Sequence, residues 1–100
     1  MKLAEIDFSP YTQLRNMRLV DFEGNVCFIG ACAAAQGFGH TARFFYDDEG
    51  KELCQREILS RLEDLPKEIP EPLLCAIWVM NDRHGKTFEE IRKFVLWAVS

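Results

Sequence analysis

The stretch "MRLVDFEGNVCFIG", residues 17–30, decides how the fold class is read. Leu19-Val20 and Val26-Cys27 are short apolar pairs separated by a segment carrying Gly24-Asn25. Glycine enters the positive-φ positions of a tight turn without a Cβ penalty, so a Gly-Asn dipeptide between apolar runs predicts a small β-hairpin. Directly after it, "CFIGACAAAQGFG" is alanine-rich and runs out on Gly37 and Gly39, the pattern of a short buried helix with a glycine stop. Gly30 and the alanines leave so little side-chain bulk that another element is expected to pack closely against this helix.

Towards the N-terminus, Ser9 as an N-cap and Pro10 at a first helical position predict a short helix near residues 10–16. Downstream, "HTARFFYDDEGKEL" reads as an extended segment entering a turn, with a distorted helical turn as the alternative. Over residues 51–65, Cys54, Ile58, Leu62 and Leu65 recur at helical spacing opposite a charged face, which predicts one amphipathic helix. "LPKEIPEP", residues 65–72, has three prolines and predicts an extended connector inside one domain. "PLLCAIWVM" is apolar all round, so periodicity leaves buried strand and buried helix both open, although Pro72 suits a first helical position. The last element is a helix: Thr87 and Glu90 have capping-box spacing, and Phe88, Ile91, Phe94, Val95 and Ala98 form one apolar stripe. Together these predict a single compact α+β domain over residues 1–100, mostly helical, with a small β-hairpin and three or four helices.

Composition narrows the function. With 48% hydrophobic residues, 100 residues suffice for a core without metals or disulfides. Twelve basic against sixteen acidic side chains give a net charge of −4 and no basic stripe, which speaks against a nucleic-acid partner. The longest apolar run, Leu73 to Met80, is far short of the roughly 20 residues a membrane helix needs. Glu5 and Asp7 stand where a signal peptide would be apolar, so a cytoplasmic protein is expected. Cys27, Cys32, Cys54 and Cys75 form no C-x-x-C pair and sit in apolar surroundings, which predicts buried free thiols in a reducing compartment. Gathering them with His40 and His84 into a zinc site would need scattered positions, so no metal and no cofactor is expected.

Two constellations carry chemistry on paper. Gly85-Lys86-Thr87 resembles the end of a phosphate-binding loop, but the required upstream glycine is Met80, and Asp82 would set a carboxylate among the amides meant for phosphate. Turn and helix cap explain the triplet fully. Cys27 lies where an extended segment hands over to a helix, so a helix N-terminus acting on its thiol, with His40 or His84 as base, makes a small cysteine-dependent hydrolase or transferase the alternative function. Asn81-Asp82 ends an apolar element just before a turn, where an Asx pair can hydrogen-bond exposed amides of a neighbouring segment.

With those residues in view, the chain resembles a family of small bacterial and phage proteins known as a domain of unknown function. Its pattern is a glycine turn before Cys-x-x-Gly-Ala, matched by Gly24, Cys27, Gly30 and Ala31, and a later Trp-Asn-Asp-x-x-Gly-(Arg/Lys)-Thr-x-x-Glu-(Val/Ile) segment. Asn81, Asp82, Gly85, Lys86, Thr87, Glu90 and Ile91 fit the second part, with Met80 where the tryptophan would stand. The resemblance implies that the two motifs share one fold and brings no activity with it. It suggests a structural motif of Gly30, Asn81, Asp82, Thr87 and Glu90, in which Asn81 and Asp82 satisfy the free amides opening the Cys27–Ala31 helix. The favoured function is a non-enzymatic protein-protein interaction or regulatory module, phage- or plasmid-associated and binding a host protein. Phe38, Phe44, Phe45 and Tyr46 are its candidate surface, with the core as their alternative place.

Overall fold

The computed structural model describes residues 1–15, 18–21, 23–38 and 45–100. Among the described residues five α-helices follow one another: α1 (Phe28–Ala35), α2 (Gln55–Ser60), α3 (Leu65–Glu68), α4 (Leu74–Asp82) and α5 (Phe88–Ala98), with 3-10 turns at Leu3–Glu5 and Glu71–Leu73. The domain is helical and not α+β. Among the described residues no strand forms, and pairing stops at isolated bridges: Gln13 with Val26, Val20 with Val26, and Tyr46 with Glu52.

The expected hairpin fails for a local reason. Gly24 does adopt φ +83° in a turn, but Asp21 Oδ1 takes the amides of Glu23 and Asn25 at 2.9 Å each. Helix α1 starts at Phe28. Side-chain capture of the Asn25 amide on one flank and helix initiation on the other limit pairing across the turn to two backbone bonds, Asp21 N–H to Asn25 C=O and Cys27 N–H to Leu19 C=O at 3.1 Å each, around the single Val20–Val26 bridge. On its other side Val26 meets the N-terminal segment: its N–H donates to Thr12 C=O at 3.0 Å and its carbonyl accepts from Leu14 N–H at 2.7 Å.

Three further expectations change. Residues 10–15 are not helical; Asp7 takes both the N–H and the hydroxyl of Ser9, so Ser9 closes an Asx turn in place of capping a helix. The helix predicted over residues 51–65 breaks after Ser60, because Asp64 takes φ +63° and Pro66 opens a new turn in the first positions of α3. The proline segment is correspondingly not extended. Pro66 and Pro72 each occupy a first-turn position, of α3 and of the second 3-10 turn, where no amide donor is needed. Residues 74–82, open between strand and helix, are helical.

Helix α1 is the hub, with every residue from Phe28 to Ala34 buried, and it packs on α2 and α4, while α4 also packs on α5. Its approach to the preceding segment requires Gly30: a Cβ there would lie 2.3 Å from the Leu19 carbonyl oxygen. The N-terminal segment closes the other side. Phe8 packs its ring 5.3 Å from Phe28 and 5.2 Å from Phe88, and the Arg92 guanidinium, 4.9 Å from the Phe8 ring, donates to the carbonyls of Leu3 and Ile6. Buried apolar residues from Leu3 to Val95 form one cluster. Among the described residues no helix is long and apolar enough to cross a membrane.

Candidate functional site

The C-terminal end of α4 meets the N-terminal end of α1 at a buried asparagine. Asn81 is 1% exposed, although Asn is among the residues normally left in water. Its Oδ1 accepts from Phe28 N–H at 3.1 Å and from Gln13 Nε2 at 2.7 Å, and its Nδ2 donates to Leu14 C=O at 2.7 Å and Asp82 Oδ1 at 2.8 Å. Phe28 is the first residue of α1, so Asn81 supplies an acceptor for one of the amides that a helix start leaves without an intrahelical partner. Asp82 contacts no α1 amide and instead holds the Asn81 amide group in place.

Gln13 and Arg15 complete the junction and went unnoticed in the sequence. Gln13 Nε2 also donates to Lys86 C=O at 2.8 Å, and Arg15 Nη1 donates to Asn81 C=O at 2.7 Å and Lys86 C=O at 3.2 Å. A guanidinium on the Asn81 carbonyl satisfies one of the acceptors that the end of α4 would expose, and its second bond ties the following turn to the same side chain. The signal was their i, i+2 spacing, which places both on one side of an extended segment; the Ser9-Pro10 helix cue obscured it. Gly85, at φ +64°, turns the chain, and Thr87 Oγ1 accepts from Glu90 N–H at 3.1 Å while Glu90 Oε1 accepts from Thr87 N–H at 3.0 Å. Gly85-Lys86-Thr87 is thus turn and cap.

Cys27 is the N-cap of α1, and its Sγ accepts from Gly30 N–H at 3.4 Å. Burial pushes its thiol up to about 12, outweighing the lowering effect of the helix amides. Cys32 is buried and shifted upward in the same direction. Cys54 and Cys75, expected to be buried, are exposed, and all four cysteines are free. His84 sits exposed in the turn after α4; His40 lies outside the described residues. Among the described residues no three metal-ligating side chains come together.

Of the candidate aromatic surface, Phe45 is wholly buried and belongs to the core, Tyr46 packs against that core, and Phe38 is exposed as expected. Phe44 lies outside the described residues. The larger exposed apolar group among the described residues is elsewhere. At the end of α5, Trp97 is 73% exposed beside exposed Leu96 and Val99, with the Phe94 ring 6.3 Å from its own.

Beside the asparagine junction lies a cleft of about 290 Å³ lined by Arg18, Leu19, Cys27, Glu52, Leu53, Cys54, Gln55, Trp78, Asn81 and Asp82. Its rim holds an ion pair, Arg18 Nε to Glu52 Oε2 at 3.8 Å, further tied by Glu52 Oε1 accepting from Leu19 N–H at 3.2 Å and Arg18 donating to Tyr46 Oη at 3.1 Å. The cleft joins residues distant in sequence, so no local motif announces it. Comparisons with protein-family models, curated proteins and solved structures find no match to this chain.

Proposed function

We propose that the protein is a non-enzymatic binding module that docks a partner protein, a host protein in the phage- or plasmid-associated reading, through the C-terminal end of α5. One observation carries this: Trp97 stands 73% exposed beside Leu96 and Val99. Large apolar side chains left in water in a contiguous group are costly to solvate and mark protein contacts, and tryptophan is over-represented among the residues that dominate binding energy. The group stands proud of a helix with Phe94 and Trp97 at i, i+3 spacing, so its complement is an apolar groove on the partner. The buried, proton-retaining Cys27 thiol favours binding over the cysteine-chemistry alternative.

The test compares the parent with Leu96→Ser/Trp97→Ser in capture from a bacterial lysate, with sedimentation equilibrium to separate partner binding from self-association. The expected result is a partner lost in the double variant at unchanged helix content and Tm, since both side chains lie outside the core. Capture that survives the substitutions would overturn the proposal.

A further inference from the structure

Two buried side-chain polar atoms among the described residues have no hydrogen-bond partner, Gln36 Nε2 and Asp82 Oδ2, and only Asp82 lines the cleft. A carboxylate oxygen accepts and never donates when ionised. Asp82 Oδ1 is occupied by Asn81 Nδ2, and Asn81 has spent both of its donors on Leu14 and Asp82, so it leaves Oδ2 unserved. Elsewhere on the lining the charges are already matched. Arg18 and Glu52 pair with each other and are held by Tyr46 and Leu19, which leaves the Asp82 charge as the cleft's excess.

We propose that this cleft binds a cationic nitrogen group, an alkylammonium or guanidinium, which donates to Asp82 Oδ2 and lies against the Trp78 ring. The complement of an unserved buried carboxylate oxygen is an N–H donor, and a cationic donor also neutralises the charge. Trp78 provides the second contact, because an indole face attracts cations. It already does so for the chain's own Arg83, whose guanidinium carbon lies 5.4 Å from the ring centre. Leu19 and Leu53 complete an apolar wall for the stem, and about 290 Å³ accommodates one such group. The carrier is either a free amine or a basic side chain of a protein. This site is separate from the α5 surface, and its success or failure is read independently of Trp97.

The experiment titrates isotope-labelled protein with agmatine and, separately, with acetyl-Gly-Arg-Gly-amide, with acetyl-Gly-Glu-Gly-amide as control. Amide shifts are followed over residues 52–54 and 78–82, with the Trp97 indole as an off-site reference. Saturable shifts at the cleft, weakened tenfold or more in Asp82→Asn, are expected; that variant keeps the acceptor for Asn81 and removes the charge. Tighter binding of agmatine assigns a small-molecule amine, and tighter binding of the peptide assigns a partner's side chain. Trp78→Leu keeps an apolar wall without the ring and should weaken binding severalfold, which maintains the test if Asp82→Asn fails to fold. Absence of saturable shifts, equal response to the glutamate peptide, or shifts unchanged in both variants would overturn the proposal.

Discussion

Replacing Asn81 by Ala probes the junction that holds α1, α4 and the N-terminal segment together. Four hydrogen bonds are lost, but their costs differ. Gln13 Nε2 keeps Lys86 C=O at 2.8 Å, so its loss is partly made good. Phe28 N–H and Leu14 C=O have no such alternative, and both residues are buried. Each buried backbone group left unpaired costs roughly 1–3 kcal/mol, with the small cavity adding to the sum. An expected loss of about 3–5 kcal/mol is a large share of the roughly 5–15 kcal/mol that stabilises a domain. In urea, with a slope of about 1.5 kcal/mol/M, the midpoint should fall by about 2 M or more at constant slope. Asn81→Asp is the informative companion: it keeps the acceptor for Phe28 while losing the donor to Leu14, and it sets a second carboxylate beside Asp82. Hydrogen exchange at Phe28 should accelerate in Asn81→Ala and much less in Asn81→Asp. A midpoint shift below about 0.5 M for Asn81→Ala, equivalent to under 1 kcal/mol at that slope, would refute the account.

Gly30→Ala should destabilise by about 1–3 kcal/mol in the same urea assay, because the new Cβ meets the Leu19 carbonyl at 2.3 Å and the backbone must shift. At pH 8, iodoacetamide should label Cys54 and Cys75 in the folded protein and reach Cys27 and Cys32 only on unfolding, as peptide mapping would show. Acid should erode stability. The folded-state pKa of Glu90 is lowered by hydrogen bonds from Thr87, and that of Asp7 by hydrogen bonds from Ser9. Such groups contribute fully above the ordinary carboxylate pKa of about 4 and lose their contribution as pH falls through the lower folded value. Urea midpoints measured from pH 6 down to pH 3 should therefore decline, and less steeply in Glu90→Gln.

The final helix was legible because its information is local: a Thr-x-x-Glu box and an i, i+3, i+4 stripe act within one segment, and of that stripe the structure buries Phe88, Ile91 and Val95, leaves Phe94 half-buried and exposes Ala98 at the helix end. The demand for a small residue at position 30 was legible for a similar reason, since an alanine-rich helix advertises close approach, though the neighbour, Leu19 C=O, was not named by it. The hairpin was misread because a turn signal specifies the turn alone. Gly24 takes its left-handed turn, yet the Asp21 side chain takes the Asn25 amide and α1 starts at Phe28, so pairing across the turn ends after two backbone hydrogen bonds. The extended connector is overturned in the opposite sense: Pro66 begins a helical turn in place of breaking one, and Pro72 takes the first-turn position that its sequence context allows.

By itself, then, the sequence determined a core-forming chain of mixed charge, the capped α5, and an Asn-Asp pair placed before a glycine turn. Tertiary structure alone decided what that pair touches, that Phe45 is core while Trp97 is surface, and that Arg18, Glu52, Trp78 and Asp82 line one cleft. Capping and periodicity act between residues three or four apart, whereas burial and cleft assembly depend on contacts between segments far apart in sequence, 68 residues for Gln13 and Asn81 and 89 for Leu3 and Arg92.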